Sequence, residues 1–417
     1  MQKYFKNLIF IYINIHLIAI SNISFCESMP SDWSGARSNG MGGAFTATAN
    51  DETSLFANPA GLSETRNPAA KRFIHRLKLP DIEVAGNPQM LSNLSSDPSS
   101  WGSDMIKSAK NNSGNQSYLL LQSFNHIIMG AKKSLTILVG IPIRSENKLA
   151  YVNTSKTNLA YFSSTTTVTG AIGISGASDR GFFRYGVSLR PNYRVDYQNQ
   201  NLDTTKYTTT NDLVNLANQS GDKTTSFAVD AGFAATAADY WFPTLGFAIR
   251  NIPTGCINNY TNPNNQSTET MCGTLRDGGT TTSQNASKID PTEIRAGFSL
   301  TPRGRIASSK VNLRLSVDAY PIPIQIGGSN YGVDGTDTNR LIHAGVELFF
   351  GNVLIQQGFG IRGGYMEGGP TWGTSIQLAF LSMEYSSYIV NDTLPQTNGT
   401  VNKFVERRHL LGISYHW

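Results

Sequence analysis

The chain has 417 residues and a formal net charge of +5, and only 15% of its residues are charged, against about 25% in an ordinary soluble domain. No apolar run in it reaches the roughly 20 residues that a transmembrane helix needs. No Lys/Arg cluster interleaves with aromatics either, so nucleic acid is not an expected partner. With 39 Gly, 17 Tyr and 20 Phe, low charge and short alternating segments, the composition suits a barrel with a lipid-facing outside and a polar lumen.

Taken in chain order, residues 1–26 read as a secretory signal. Lys3 and Lys6 precede an apolar stretch from Leu8 to Ile20, broken by Asn14 and His16, and small residues follow at Ser24 and Cys26. Cleavage is expected between Cys26 and Glu27. A lipoprotein cleaved before Cys26 is the rival, although Phe25 does not suit the small residue needed there. Residues 27–70, rich in Gly, Ala, Asn and Ser, lack strand alternation and read as a compact N-terminal segment; 71–417 read as the barrel.

Strand candidates recur at 71–79, 117–129, 134–143, 148–162, 165–176, 181–197, 225–237, 243–251, 292–301, 310–320, 340–350, 353–365, 372–388 and 404–417. They make fourteen, an even number, as single-chain bacterial barrels have. In 183–190, for example, Phe183, Tyr185, Val187 and Leu189 alternate with Arg184, Gly186, Ser188 and Arg190, the two faces of one strand. A turn at Gly351–Asn352 predicts a hairpin that sets Leu348 against Ile355, Val346 against Gln357 and Glu347 against Gln356. The polar intervals 198–224, 252–291, 321–339 and 389–403 are expected to be long external loops. Short helices are expected at Asp104–Lys107 and Asp212–Ala217. The chain ends on Leu411, Ile413, Tyr415 and Trp417 along one face, a terminal strand that suits the aromatic girdle of an outer-membrane barrel. The bland alternative is the last strand of a soluble sandwich.

Arg184, Arg190, Asp230, Arg250, Arg295, Arg314, Asp318, Glu347 and Arg362 fall on the faces opposite the apolar ones, with Glu293, Glu384 and Arg408. Charges at bilayer depth must face the lumen and pair there; a ladder of structural ion pairs is the plain reading, a specific ion site the sharper one. Cys256 and Cys272 bracket a loop rich in Asn and Thr, which in an exported chain reads as a disulfide; two free thiols are the alternative. No GxSxG or HExxH occurs, and the glycines at 40, 42 and 43 lack the Lys and the strand-loop-helix context of a phosphate loop. No enzyme activity, cofactor or metal is expected.

The most specific motif runs from Gly35 to Asp51 through Gly40, Gly42 and Gly43, and on to Asn58-Pro59-Ala60-Gly61. It resembles the N-terminus of FadL-like outer-membrane proteins, in which a glycine-rich segment leads into an Asn-Pro-Ala box. Pro243–Phe247, His343–Glu347 and Arg362–Tyr365 also look like barrel segments of that superfamily. The resemblance implies a plug, or hatch, inside a fourteen-stranded barrel in the outer membrane of a Gram-negative bacterium. It implies passive uptake of hydrophobic or amphipathic small molecules such as long-chain fatty acids, with outer-membrane lipids around the barrel. It also implies a barrel-assembly machinery that reads Ile413, Tyr415 and Trp417. The alternative is a barrel that anchors or shuttles secreted proteins at the surface. Physically, Gly and Ala allow tight backbone packing, Pro59 fixes a turn, and the Asn58 amide can satisfy buried backbone groups. Gly170, Gly173 and Gly176 are places for a strand kink through which a ligand leaves sideways, or simply for close packing against the plug.

Overall fold

A computed structural model describes residues 33–64, 73–85, 100, 103–107, 116–132, 135–150, 159–178, 181–207, 209–237, 241–261, 268–278, 289–306, 309–331, 338–352, 357–378, 380–395 and 401–416. The proposed signal, the outer parts of the 27–70 segment, residues 71–72, Ile355, Gln356 and Trp417 lie outside the described residues.

The barrel strands are β1 (Phe73–Lys78 continued by Asp81–Ala85), β2 (Gln116–Lys132), β3 (Leu135–Ala150), β4 (Leu159–Thr169 continued by Ala171–Ala177), β5 (Phe183–Asp203) and β6 (Asp222–Thr236). They continue with β7 (Thr244–Arg250, extended by the end of Thr268–Gly278) and β8 (Ile289–Pro291, Glu293–Leu300 and Arg303–Ile306). The last six are β9 (Ser309–Ala319), β10 (Ile342–Asn352), β11 (Gln357–Met366), β12 (Gly369–Gln377), β13 (Leu381–Pro395) and β14 (Val401–His416). Each pairs antiparallel with its neighbours, and β14 closes on β1 through Leu77↔Tyr415 and Ile82↔Leu411. The result is a closed fourteen-stranded antiparallel barrel. Closure satisfies every backbone ladder group internally, which a lipid surround demands.

At one end the connections are short, as at 133–134, 307–308 and 353–356; at the other they are long, as at 204–221 and 320–341. The outer face carries exposed apolar side chains around the barrel, among them Ile141, Tyr185, Phe247, Val317, Ile361 and Tyr415. Arg184, Arg190 and Asp230 are buried on the inner face. On β14, Leu411 and Tyr415 are exposed while Gly412 and Ser414 are buried, so the terminal strand has the orientation its alternation implies.

Several sequence expectations need correction. The strand expected at 148–162 is divided between two others among the described residues: 148–150 end β3 and 159–162 begin β4, while 151–158 lie outside the described residues. The segment 372–388 contains two strands, β12 and β13, rather than one. These two errors cancel, so the count of fourteen is right while two of its members are not. The intervals 198–224 and 389–403 are shorter loops than expected, because β5 runs to Asp203, β13 to Pro395, and β14 starts at Val401. Polar strand ends above a membrane belt need not alternate apolar with polar, so periodicity missed them.

The hairpin of β10 and β11 exists, but its register differs from the expected one. Leu348 faces Ile361, Val346 faces Gly363, and Glu347 faces Arg362. The slip is six residues. An even slip leaves every side chain on its own face, so the apolar pattern cannot distinguish the two registers. Pairing Glu347 with Arg362 in the lumen is the feature that does.

The expected helix near Asp212–Ala217 runs over Thr210–Ser220, with Thr209 accepting from the Asp212 amide at its start. Residues 103–107 are helical too. Both pack on the outside of β1–β5 at the loop end, where Val84, Leu119, Leu149 and Phe162 join Met105, Leu213 and Ala217 in one buried apolar cluster.

Candidate functional site: the plug and its two walls

Residues 33–64 fill the lumen. They form α1 (Ala36–Gly40), α2 (Ser54–Ala57) and a 3-10 turn at Pro59–Glu64, and most of them are buried. Gly42 and Gly43 have φ of 65° and 77°, a backbone that only glycine adopts without strain. A side chain at either position would also strike the wall, at Tyr365 for Gly42 and at Tyr320 and His343 for Gly43.

The wall makes room with glycine of its own. Gly186 pairs with Gly232, Gly246 with Gly297 and Gly345 with Gly364, so inner-face glycines girdle the lumen at plug level. A β-carbon on any of these would overlap the plug: Pro59 at Gly186, Asn58 at Gly232, Ala47 at Gly246 and Gly297, and Met41 at Gly345 and Gly364. Sequence reading saw these residues only as the polar half of an alternation. The legible signal was the recurrence of glycine on that half, in Leu245-Gly246-Phe247, Ala296-Gly297-Phe298 and Ala344-Gly345-Val346.

Asn58 is 1% exposed. Its amide donates to the Thr46 carbonyl (2.8 Å) within the plug and to the Phe233 carbonyl (3.1 Å) of β6, while its side-chain oxygen accepts from the Ala60 amide (3.1 Å). One side chain thus joins two turns of the plug to each other and to the wall. Pro59, Ala60 and Gly61 follow in the tight turn, and Ser175 of β4 donates to the Ala60 carbonyl at 3.0 Å.

Around this hub the plug meets two chemically different walls. Against β2–β4 the contact is mainly apolar: Trp33, Leu55, Phe56 and Leu62 pack on Phe124, Ile128, Leu138 and Ala171, with two neutral hydrogen bonds beside them, from Gln122 to the Ser34 carbonyl (2.6 Å) and from Ser175 to the Ala60 carbonyl. The rings of Trp33, Phe56 and Phe124 lie 5.6–5.9 Å apart. Gly173 of β4 faces Leu55 and Leu62, so its role is close packing against the plug. Of the places expected for a kink, Gly170 interrupts β4, while Gly173 and Gly176 lie within its second part. The register is the same on either side of this break, from Leu135↔Gly176 to Ala150↔Tyr161 on one edge of β4 and from Ala177↔Arg184 to Phe162↔Asn199 on the other. The pairing is interrupted at Thr169–Gly170 on the first edge and at Gly170–Ala171 on the second, where the Gly170 amide still donates to the Pro191 carbonyl at 2.8 Å.

Against β9–β12 the contact is polar and directional. Asp318 accepts the Phe45 and Thr46 amides, both at 2.6 Å. The Tyr320 hydroxyl donates to the Gly43 carbonyl (3.0 Å), His343 Nδ1 to the Gly42 carbonyl (2.9 Å), and the Thr371 hydroxyl to the Gly40 carbonyl (3.1 Å). Arg37 of α1 forks onto Glu347 of β10 at 2.8 and 2.7 Å and reaches Asp51 at 3.2 Å. The same Glu347 carboxylate takes Arg362 at 2.8 Å and Arg314 at 3.0 Å. Burial works against the charge of Arg37, but the carboxylates of Glu347 and Asp51 outweigh it and hold the guanidinium above its ordinary pKa.

Elsewhere Arg190 and Asp230 pair with no exposure, bridged to Asn251 and with the guanidinium over the Phe56 ring. Arg250 and Arg295 both pair with Glu293, and Arg184 pairs with Glu64 at the end of the plug. The nominated lumen charges therefore divide into those that tie strand to strand and those that tie strand to plug. Sequence reading did not single out Arg37, Asp51, Trp33 or Phe56. Arg37, Asp51 and Glu52, alone among uncharged residues from 33 to 63 in a segment destined for a lumen, were the available clue, since each must find a partner there. Cys256 and Cys272 form a disulfide across directly opposed positions of a hairpin outside the barrel ladder, away from the plug.

These features define a class: a membrane-spanning β-barrel whose lumen is filled by its own N-terminal segment. The fold is shared with a mutant of the monoaromatic hydrocarbon channel TodX, at a TM-score of 0.51 and 11% identity over 92% of this chain and 98% of that one. Two further structures match at lower scores. The toluene transporter TodX of Pseudomonas putida gives a TM-score of 0.49 at 11% identity over 94% of this chain and 99% of that one. A Pseudomonas aeruginosa FadL homologue gives 0.44 at 12% identity over 95% and 99%. No family model and no curated protein matches the chain.

Proposed function

We propose that this protein is a passive outer-membrane channel for hydrophobic or amphipathic small molecules, long-chain fatty acids among them. The observation that carries the reading is the asymmetry of the plug's attachment. Apolar contacts are non-directional, so a ligand of similar surface can replace the β2–β4 wall beside Leu55, Phe56 and Leu62 at little net cost. The polar contacts to β9–β12 have no such substitute, because parting them leaves buried charges and amides without partners. The plug therefore swings on the β9–β12 side and yields on the β2–β4 side. TodX, which shares the fold, is a monoaromatic hydrocarbon channel, and such hydrocarbons are substrates of the same class.

In this reading the long connections face outward, residues 1–26 are the export signal, the plug extends over 27–70 and the barrel over 71–417. The test is uptake of radiolabelled fatty acid and of an aromatic hydrocarbon by a deletion strain with and without the gene restored. Equal uptake of both compounds in both strains would refute the channel.

A second reading, a surface barrel that binds secreted proteins, has one observation in its favour. In the 320–341 connection, Ile324 and Ile326 are 37% and 63% exposed on a short hairpin. A pull-down of surface proteins lost on Ile326→Asp, with uptake unchanged, would favour it.

A further inference from the structure

The outer face of β12–β14 carries a group of polar and aromatic side chains at one level. His409 lies opposite Ser387, and Ser387 opposite Trp372. Arg407 is two residues from His409 on the same strand and so on the same face, about 7 Å along it. Its guanidinium donates to the Ser387 hydroxyl (3.1 Å) and to the Pro370 carbonyl (3.5 Å), which uses two of five donors. No carboxylate among the described residues pairs with it. Tyr385 Oη sits 2.7 Å from His409 Nδ1. With the phenol donating, the remaining ring hydrogen is on Nε2, which becomes a further donor. Trp372, 47% exposed, leans on Tyr385 with ring centroids 5.0 Å apart.

The level of this group is fixed by its neighbours. β11 and β12 have 10 and 9 residues, about what is needed to cross the hydrocarbon. The turn that joins them at the loop end, Glu367–Gly368, therefore marks the membrane surface. Pro370, whose carbonyl Arg407 reaches, is two residues from Gly368. A cation in that position faces neither water nor the lumen but the headgroups of the leaflet at the loop end, beside the interfacial aromatics Trp372 and Tyr385.

We infer that Arg407 and His409 bind the phosphate of an outer-leaflet lipid, with Trp372 and Tyr385 packing on its apolar base. An Arg fork with a neighbouring N–H donor matches phosphate oxygens in a way that a neutral headgroup cannot. The inference rests on the outward orientation of the long connections and not on what the channel carries, so uptake and lipid binding are separable outcomes.

The test is native mass spectrometry of the purified full-length protein in mild detergent, titrated with bisphosphorylated lipid A and, separately, with its dephosphorylated form. The expected result is phosphate-dependent binding that falls at least tenfold in Arg407→Gln, is largely kept in Arg407→Lys, and weakens to a lesser degree in His409→Phe. Inorganic phosphate at equal concentration should not compete, because it lacks the acyl chains. Heat-modifiability on gels checks that each variant is a folded barrel, and the Lys variant keeps the test open if Gln does not fold. Equal binding of both lipid forms, unchanged binding in Arg407→Gln, or full competition by inorganic phosphate would each overturn the assignment.

Discussion

The two sides of the plug differ in the kind of force that holds them. On the β2–β4 side, four plug side chains pack on Phe124, Ile128, Leu138 and Ala171, each full burial being worth roughly 1.5–3 kcal/mol regardless of which apolar group provides it. On the β9–β12 side, Asp318, Tyr320, His343, Glu347 and Thr371 hold named plug atoms at hydrogen-bonding distance. The first contact is strong but exchangeable, and the second is specific but brittle. A lumen closed by two such contacts has a preferred way to open, and for an apolar ligand it is the first.

The largest effect is expected where the brittle contact is concentrated. Glu347→Gln leaves Arg37, Arg314 and Arg362 sharing a neutral amide, and breaking a buried pair of this kind costs about 3–5 kcal/mol. The plug should detach on that side, with single-channel ion conductance rising sharply while the closed ladder keeps the barrel heat-modifiable. Low, wild-type conductance would mean that Glu347 is not what retains the plug.

Next come the apolar contacts. Leu55→Ala removes a buried side chain at a cost of about 2–5 kcal/mol, but it widens the exchangeable face and leaves the tether. Hydrocarbon uptake should rise more than ion conductance. Leu138→Lys, a charge on the same wall, should instead stop uptake with the barrel still inserted. If Leu138→Lys transports normally, the ligand does not pass along β2–β4.

Asn58→Ala sharpens the comparison because Asn58 sits between the two walls. Loss of its buried bonds should cost about 1–3 kcal/mol, loosening the plug without unfolding the barrel. Hydrogen exchange of the 44–60 backbone reads this directly, and a silent exchange profile would reduce the Asn-Pro-Ala segment to a simple turn. The smallest effect on the plug is expected from reducing Cys256–Cys272. That bond closes a loop outside the barrel ladder; opening it should destabilise that hairpin by up to about 3 kcal/mol with little effect on conductance.

Much of this was legible in the sequence, for reasons that also explain what was not. The two-residue period of Phe183–Arg190 or Leu245–Arg250 reports which face a side chain takes, so lumen charges such as Arg190, Asp230 and Glu347 were readable. The same period is blind to an even slip, hence the wrong partners for Leu348 and Val346. It also fades above the membrane, where β3 and β13 run on through polar residues and the boundaries were lost. The plug was legible through Gly42, Gly43 and Asn58-Pro59-Ala60, whose backbone demands are local. Its attachment was not, because Arg37 and Glu347 are 310 positions apart and nothing in either neighbourhood names the other.

The central claim is that the plug yields on the β2–β4 side and stays tied on the β9–β12 side. Pairs of engineered cysteines joined by a short bifunctional thiol-alkylating crosslinker test it: Leu62→Cys with Gly173→Cys on the first side, and Gly40→Cys with Gly373→Cys on the second, both being places where plug and wall touch. With uptake of a labelled hydrocarbon measured before and after crosslinking, the first staple should abolish transport and the second should leave it near the uncrosslinked rate. Transport that survives the first staple and fails with the second would contradict the account.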